Sequence, residues 1–173
     1  MQAMTNIEVM NAYEIKKVVT ACPHCFNTLK NEYPQFGVMT EVIHHTEFFS
    51  DLIQTGRLKL KNNLEETVTL HDSCYLCRWN DMIDAPRQIL STIGGLQIRE
   101  MDRIGRNGLC CGAGGSRMFM EERIGKRINI ERVEEVVATG AETLVAACPF
   151  CNTMRNDAVK ETASAIAVKD IAE

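Results

Sequence analysis

Apolar positions along the chain fall into two alternating kinds of segment. Short runs rich in β-branched residues recur at 17–21 (KVVTA), 41–45 (EVIHH), 67–71 (TVTLH), 96–101 and 144–147 (LVAA), with a last one at 165–168. Their length and composition predict strands. Between them lie longer segments in which apolar and polar residues repeat at helical spacing: 4–13, 26–32, 46–55, 84–93 and 121–139. Thr46 is the expected cap of the third helix and Gly56 its stop. Pro86 falls in the first turn of the fourth, and Gly140 ends the fifth, with Gly125 as a break inside it. Residues 57–66 form a polar connector and 102–109 a loop. Strands alternating with helices predict an α/β fold with a parallel sheet, built from Rossmann-like strand–helix repeats.

One unit occurs twice. Val18-Val19-Thr20-Ala21-Cys22-Pro23-His24-Cys25 matches Leu144-Val145-Ala146-Ala147-Cys148-Pro149-Phe150-Cys151, 126 residues further on. Asn27 to Glu32 (NTLKNE) resembles Asn152 to Asp157 (NTMRND) with a shift of one residue, and the helix before the first strand has a counterpart at 129–139. Residues 1–56 therefore read as the tail of a first, truncated repeat and 57–173 as a complete second one, packed as one compact unit.

Length and charge narrow the function. A chain of 173 residues is long enough for a real core. Its 19 basic and 23 acidic residues are interspersed and sum to −4, which leaves no basic footprint for nucleic acid and no polybasic membrane patch. No signal peptide opens the sequence, and no apolar run approaches the roughly 18 residues of a membrane span, so no membrane insertion by this chain is expected. The 8 cysteines are too sparse for a secreted disulfide scaffold and are clustered in pairs: Cys22/Cys25, Cys74/Cys77, Cys110/Cys111 and Cys148/Cys151. Paired cysteines in a chain of this kind point to a cytoplasmic metal or redox protein.

Cys74, Cys110, Cys111, Cys148 and Cys151 follow the pattern C-x35-CC-x36-C-x2-C. Adjacent cysteines chelate one small ion poorly because neighbouring side chains diverge, but they can serve two different metal atoms of one cluster. The Gly112-Ala113-Gly114-Gly115 turn after the pair allows close backbone approach, so that amide N–H groups can face sulfur. Cys22, Cys74 and Cys148 all follow predicted strands, and the carboxyl ends of parallel strands share one edge of a sheet. Other uses remain open: buried small hydrophobes, a thiol–disulfide oxidoreductase working through the CPHC and CPFC dithiols, or a structural zinc module. His44 and His45 are candidate ligands or proton carriers, or simply hydrogen-bonding residues at a strand end. The glycine-rich turn lacks the spacing and the lysine of a phosphate-binding loop. No acid–base dyad or nucleophile–base pair stands out, so no catalytic side chain is assigned.

The stretches HDSC at 71–74, CCGAGGS at 110–116 and CPFC at 148–151 resemble the cysteine-rich CCG domain of heterodisulfide reductase B and D subunits and related Fe–S oxidoreductases. TACPHCFNTLKNEYP, EVIHHTEF, HDSCYL and NGLCCGAGGSRM are most similar to the large membrane-linked oxidoreductases that pass electrons from electron-transfer flavoprotein to menaquinone. The resemblance spans nearly the whole chain. It implies an oxidoreductase role as an iron–sulfur electron-transfer module, incomplete as a catalyst by itself. It implies a [4Fe–4S] cluster of the non-cubane type held by Cys74, Cys110, Cys111, Cys148 and Cys151. It also implies a redox partner such as electron-transfer flavoprotein, a quinone-linked membrane part elsewhere in the full-length protein, and a place at the cytoplasmic face of the membrane. Relatives usually carry two such motifs. Here the first keeps Cys22 and Cys25, and its other cysteines are expected upstream of Met1, as in a C-terminal piece of a longer protein. Relatives commonly have glycine at the position of Cys77, which joins Cys22 and Cys25 as a further candidate ligand.

Overall fold

The computed structural model describes residues 1–38 and 40–173. The first part of the chain runs α1 (Gln2–Ala12), β1 (Lys17–Thr20), α2 (Pro23–Asn27), β2 (Glu41–His44) and α3 (His45–Gln54). The second runs β3 (Thr67–His71), α4 (Cys74–Cys77), α5 (Asp84–Ser91), β4 (Gln97–Ile98), α6 (Ile128–Thr139), β5 (Thr143–Ala146), α7 (Pro149–Glu161) and β6 (Ala167–Asp170). β1 and β2 form a parallel pair, and the other four strands form a parallel sheet in the order β4-β3-β5-β6. This is the α/β, parallel-sheet fold expected from the alternation of patterns. β5 is buried along its whole length and reads as a nearly continuous apolar run; β3 is almost as buried although TVTLH alternates polar and apolar residues, with Thr69 and His71 inside.

The internal repeat extends to strand register. β1 pairs with β2 from Lys17↔Glu41 to Thr20↔His44, and β5 pairs with β6 from Thr143↔Ala167 to Ala146↔Asp170. Every one of these positions recurs 126 residues later, as does the start of α1 (Gln2) at the start of α6 (Ile128). Surroundings differ. β5 has β3 on one side and β6 on the other, whereas β1 pairs only with β2 among the described residues. Val19 is consequently 42% exposed, and its counterpart Val145 5%.

Phe26 of α2 joins Leu76, Cys77, Met82 and Ala147 in one buried cluster, which ties the two parts together. Asn31 and Asn27 hydrogen-bond Asn80 across the same junction at 2.9 and 3.1 Å, and Ser50 of α3 donates to Gln88 of α5 at 2.9 Å.

Several element ends depart from the sequence pattern. α3 starts one residue early and is capped by His44, whose Nδ1 accepts the Thr46 N–H at 3.4 Å; the Thr46 hydroxyl is occupied with the same nitrogen at 2.8 Å. α6 starts at Ile128 rather than 121, because Gly125 takes a left-handed φ of +72° and stops any helix running through it. Residues 26–32 do not form one α-helix: α2 ends at Asn27, and the chain widens into a π turn over Thr28–Glu32 and then a 3-10 turn over Tyr33–Phe36. β4 keeps only Gln97–Ile98, although Arg99 still donates its N–H to the Val68 carbonyl at 2.8 Å. The last strand lies at Ala167–Asp170, two residues beyond the expected start.

Candidate metal centre

Three chain segments deliver five thiols to the carboxyl edge of the four-stranded sheet. Cys74 opens α4 just past the end of β3. Cys148 is the cap residue of α7, directly after β5, with Pro149 pre-set for the first turn and Cys151 one turn in. Cys110 and Cys111 arrive on the loop that precedes the glycine turn. That loop is fastened from below by Asp72, whose buried carboxylate binds Arg87 through both oxygens at 2.9 Å and accepts the Gly105 N–H at 2.6 Å. Burial alone would raise the Asp72 pKa; the Arg87 and Gly105 hydrogen bonds outweigh it and hold the carboxyl below its ordinary value. Arg78 adds a bond from its Nε to the Arg106 carbonyl at 2.8 Å.

Cys111, Cys148 and Cys151 share one buried cluster with Cys110 packed against it, and Cys74 lies near enough to Cys110 for the two thiols to shift each other's proton. Cys111, Cys148 and Cys151 are buried, while Cys74 and Cys110 are half-buried. Backbone amides of the glycine turn face the pair, with the Gly112 N–H on Cys110 Sγ at 3.4 Å and the Ala113 N–H on Cys111 Sγ at 3.5 Å. Gly112 reaches this position with a φ of +89°. Among the described residues no three Cys, His, Asp or Glu side chains gather around a single-ion position. The thiols are strung out instead, an arrangement in which neighbouring sulfurs can go to different metal atoms.

Protons are unevenly held among these thiols. Hydrogen bonds from Cys111 and Cys74 pull Cys110 far below the ordinary thiol range. Cys151, and behind it His24, bring Cys148 down to about 5 against the effect of burial. The donors shift the other way: Cys74 is raised by its bond to Cys110 and by burial, Cys111 to about 11 by its bond to Cys110, and Cys151 by its bonds to Cys111 and Cys148. Two thiolates with thiol donors between them form a donor set for a soft metal.

Two guanidinium groups lie beneath the sulfurs, both without solvent exposure. Arg155, on α7, donates to the Asn129 carbonyl at 2.9 Å and to the Cys110 carbonyl at 3.0 Å. Burial lowers it to about 10, opposed by Cys151, Cys111 and Cys110 in so far as they ionise. Arg132, on α6, binds Glu135 and donates to the Arg103 carbonyl at 2.9 Å. Its Nε faces His71 Nδ1 at 3.4 Å. Burial, then the charges of Arg155 and Arg132, keep His71 neutral, well below its usual pKa. Accepting at Nδ1 leaves its proton on Nε2, which has no partner among the described residues.

The remaining candidates are placed differently. His24, from the first CPxC, helps to lower Cys148 and lies 4.2 Å from the Tyr75 ring and 5.5 Å, edge-on, from Phe150. His45 senses the charge of Cys148 and approaches Asp170 at 3.8 Å. His44 is turned to Thr46 and the ring of Phe26. Cys77 is buried away from these five thiols; its own donates to Asp72 Oδ1 and to the Met82 carbonyl, each at 3.5 Å. Cys22 and Cys25 are unbridged but adjacent, with the Cys25 N–H on Cys22 Sγ at 3.5 Å, and Cys25 is exposed. Arg155, Arg132, His71 and His24 were not singled out by sequence pattern. Arg155 did leave one signal: it follows Cys151 by four residues, one turn along the same helix face.

A family model described as a cysteine-rich domain, CCG, matches residues 1–30 and 68–155, more than half of the chain. The chain belongs to the cysteine-rich CCG-domain family. The two matched stretches take in all five of these thiols and both CPxC motifs. This CCG chain is 47% identical to the probable iron-sulfur-binding oxidoreductase FadF of Bacillus subtilis, over 91% of the chain and 22% of that protein. It is 42% identical to the EtfAB:quinone oxidoreductase of Syntrophomonas wolfei, over 97% of the chain and 25% of that protein. Its identity to the D component of the dihydromethanophenazine:CoB–CoM heterodisulfide reductase of Methanosarcina barkeri is 37%, over 99% of the chain and 42% of that protein. The CCG chain thus spans about a quarter of the length of the first two relatives and less than half of the third.

Proposed function

We propose that this CCG domain is an iron–sulfur electron-transfer module of a larger oxidoreductase. Its centre is a non-cubane [4Fe–4S] cluster held by Cys74, Cys110, Cys111, Cys148 and Cys151. The observation that carries the reading is the gathering of these sulfurs at one sheet edge, with Cys110, Cys111, Cys148 and Cys151 packed in one cluster and Cys74 in reach of Cys110. The surroundings fit an anionic, thiolate-ligated group: amide N–H groups on Cys110 and Cys111, the N-terminus of α7 at Cys148, and a fully buried guanidinium beneath. When bound, the cluster supplies one-electron chemistry. The protein's own residues bind it, exclude water from Cys111, Cys148 and Cys151, and tune its charge environment.

The names of the relatives support partners of the same kind: an electron donor such as electron-transfer flavoprotein and a quinone-linked part of the full-length protein. Among the described residues no helix is long and apolar enough to cross a membrane. A place at the cytoplasmic face of a membrane belongs to the same proposal, as does the division into a first-repeat tail at 1–56 and a complete repeat at 57–173. Reactive-dithiol chemistry at the first CPxC is disfavoured by Cys22, which burial pushes up to about 11, whereas a redox dithiol needs a depressed thiol.

Anaerobic purification tests the proposal. The expected chain is brown, with about four iron and about four acid-labile sulfide per molecule and an electron paramagnetic resonance signal in one redox state. A colourless chain containing zinc, or only titratable thiols, overturns it.

A further inference from the structure

Among the described residues, Arg155 is buried with no acid beside it. Its guanidinium has no solvent exposure, and its two terminal nitrogens donate to backbone carbonyls, of Asn129 and of Cys110. Its Nε has no partner among them. Arg132, equally buried, has the carboxylate of Glu135. An isolated charge in a protein interior is strongly unfavourable unless an opposite charge faces it. The groups whose charges act on Arg155 are Cys151, Cys111 and Cys110, which attract it, and Arg132, which repels it; His71 beside them is neutral. The groups in its reach that can carry negative charge, among the described residues, are therefore sulfurs proposed to hold the cluster: Cys110, held low, and Cys151 and Cys111, which give up their protons as metal ligands.

We infer that Arg155 is a positioning residue that serves as the fixed counter-charge of the cluster, raising its reduction potential while holding the Cys110 backbone in place. The inference rests on the proposed function. A thiolate-ligated cluster is anionic, and each electron accepted adds one negative charge. A cation fixed one helical turn from Cys151 stabilises the reduced state more than the oxidised one. The carbonyl bond to Cys110 makes the same side chain a brace for the vicinal pair, so charge and geometry must be separated by experiment.

Arg155→Gln removes the charge and keeps a hydrogen-bond donor; Arg155→Lys keeps the charge. The loaded chain and both variants are titrated anaerobically with redox mediators, and reduction is followed by electron paramagnetic resonance. Arg155→Gln is expected to lower the ratio of reduced to oxidised cluster at the wild-type midpoint about tenfold, a shift of about 59 mV for one electron. Arg155→Lys is expected to keep that ratio within about twofold of wild type, by the same relation. Equal midpoints in wild type and Arg155→Gln, with iron lost to the same extent in both variants, overturn the inference and leave Arg155 a brace alone.

Where Arg155→Gln does not load, Arg155→Lys decides: a counter-charge role predicts that it binds wild-type iron and keeps the wild-type midpoint. Iron lost to the same extent in Arg155→Lys and Arg155→Gln overturns the inference. A wild-type chain without iron and sulfide fails the proposed function first, before any variant is compared.

Discussion

His44 shows how far burial can move a residue away from the role its type suggests. Its ring is fully buried against Phe26 and the ring of His45, and burial, reinforced by the neighbouring His45, lowers its pKa to about 3. An unfolded histidine titrates near 6.5. Between the two values the unfolded chain holds a proton that the folded chain does not, so stability falls as pH drops below about 6.5, by up to about 1.4 kcal/mol per pH unit from this residue. Urea unfolding of the metal-free protein at pH 7.5 and pH 5.5 is expected to show that loss, and His44→Gln to reduce its slope. An acid dependence unchanged by the substitution would place the titration elsewhere. At this scale the five cysteines were legible because their spacing is unusual and thiol chemistry is narrow. Arg132 and Arg155 were not, because a charged residue on a predicted helix is by default read as solvated. Their burial becomes visible only once the sheet edge gathers the sulfurs above them.

Elements were most legible where one force dominates. The LVAA run is a strand buried on both faces and so is apolar throughout, and TVTLH was legible from its β-branched residues. Ends were harder. The apolar period of α6 continues backwards past Gly125, and only the left-handed φ there shows that the helix stops short of it. The cap of α3 was missed because histidine is not among the residues favoured at that position. The glycine turn after the vicinal pair permits a sharper test. Gly112 combines a φ of +89° with an N–H on Cys110 Sγ, whereas Gly114 has an ordinary φ and open space where a Cβ would stand. Gly112→Ala is expected to destabilise the fold by about 1–2 kcal/mol, the strain of an L-residue in the left-handed region. Gly114→Ala should change stability by no more than about 0.5 kcal/mol. Chemical denaturation of both variants checks this, and equal stabilities would show that the turn tolerates a side chain at either position.

In the whole molecule, one strand–helix unit is used twice in two environments. β1-α2-β2 and β5-α7-β6 share order and register, yet Cys148 and Cys151 are buried while Cys25 is exposed and Cys22 half-buried. The difference follows from neighbours. β5 has β3 at its side, and with β3 come Cys74 and the loop carrying Cys110 and Cys111; β1 pairs only with β2 among the described residues. The repeat itself was legible in the sequence, because the CPxC motif and the strand before it recur together. The consequence for burial was not, because it depends on which strand lies alongside. The proposed cluster accordingly belongs to the second unit. Cys77, whose thiol is engaged by Asp72 and the Met82 carbonyl, offers nothing to the first.

The most direct test is the iron content and resonance spectrum of serine variants, loaded anaerobically and compared with the double variant Cys22→Ala/Cys25→Ala. Cys110→Ser and Cys111→Ser are each expected to lose or reshape the signal, because each sulfur is proposed to serve a different iron. The double alanine variant should keep the wild-type iron content and spectrum. Wild-type iron and an unchanged signal in a variant with both Cys110 and Cys111 replaced, or a fall in iron by about half on removing Cys22 and Cys25, would contradict a single centre built on the five sulfurs.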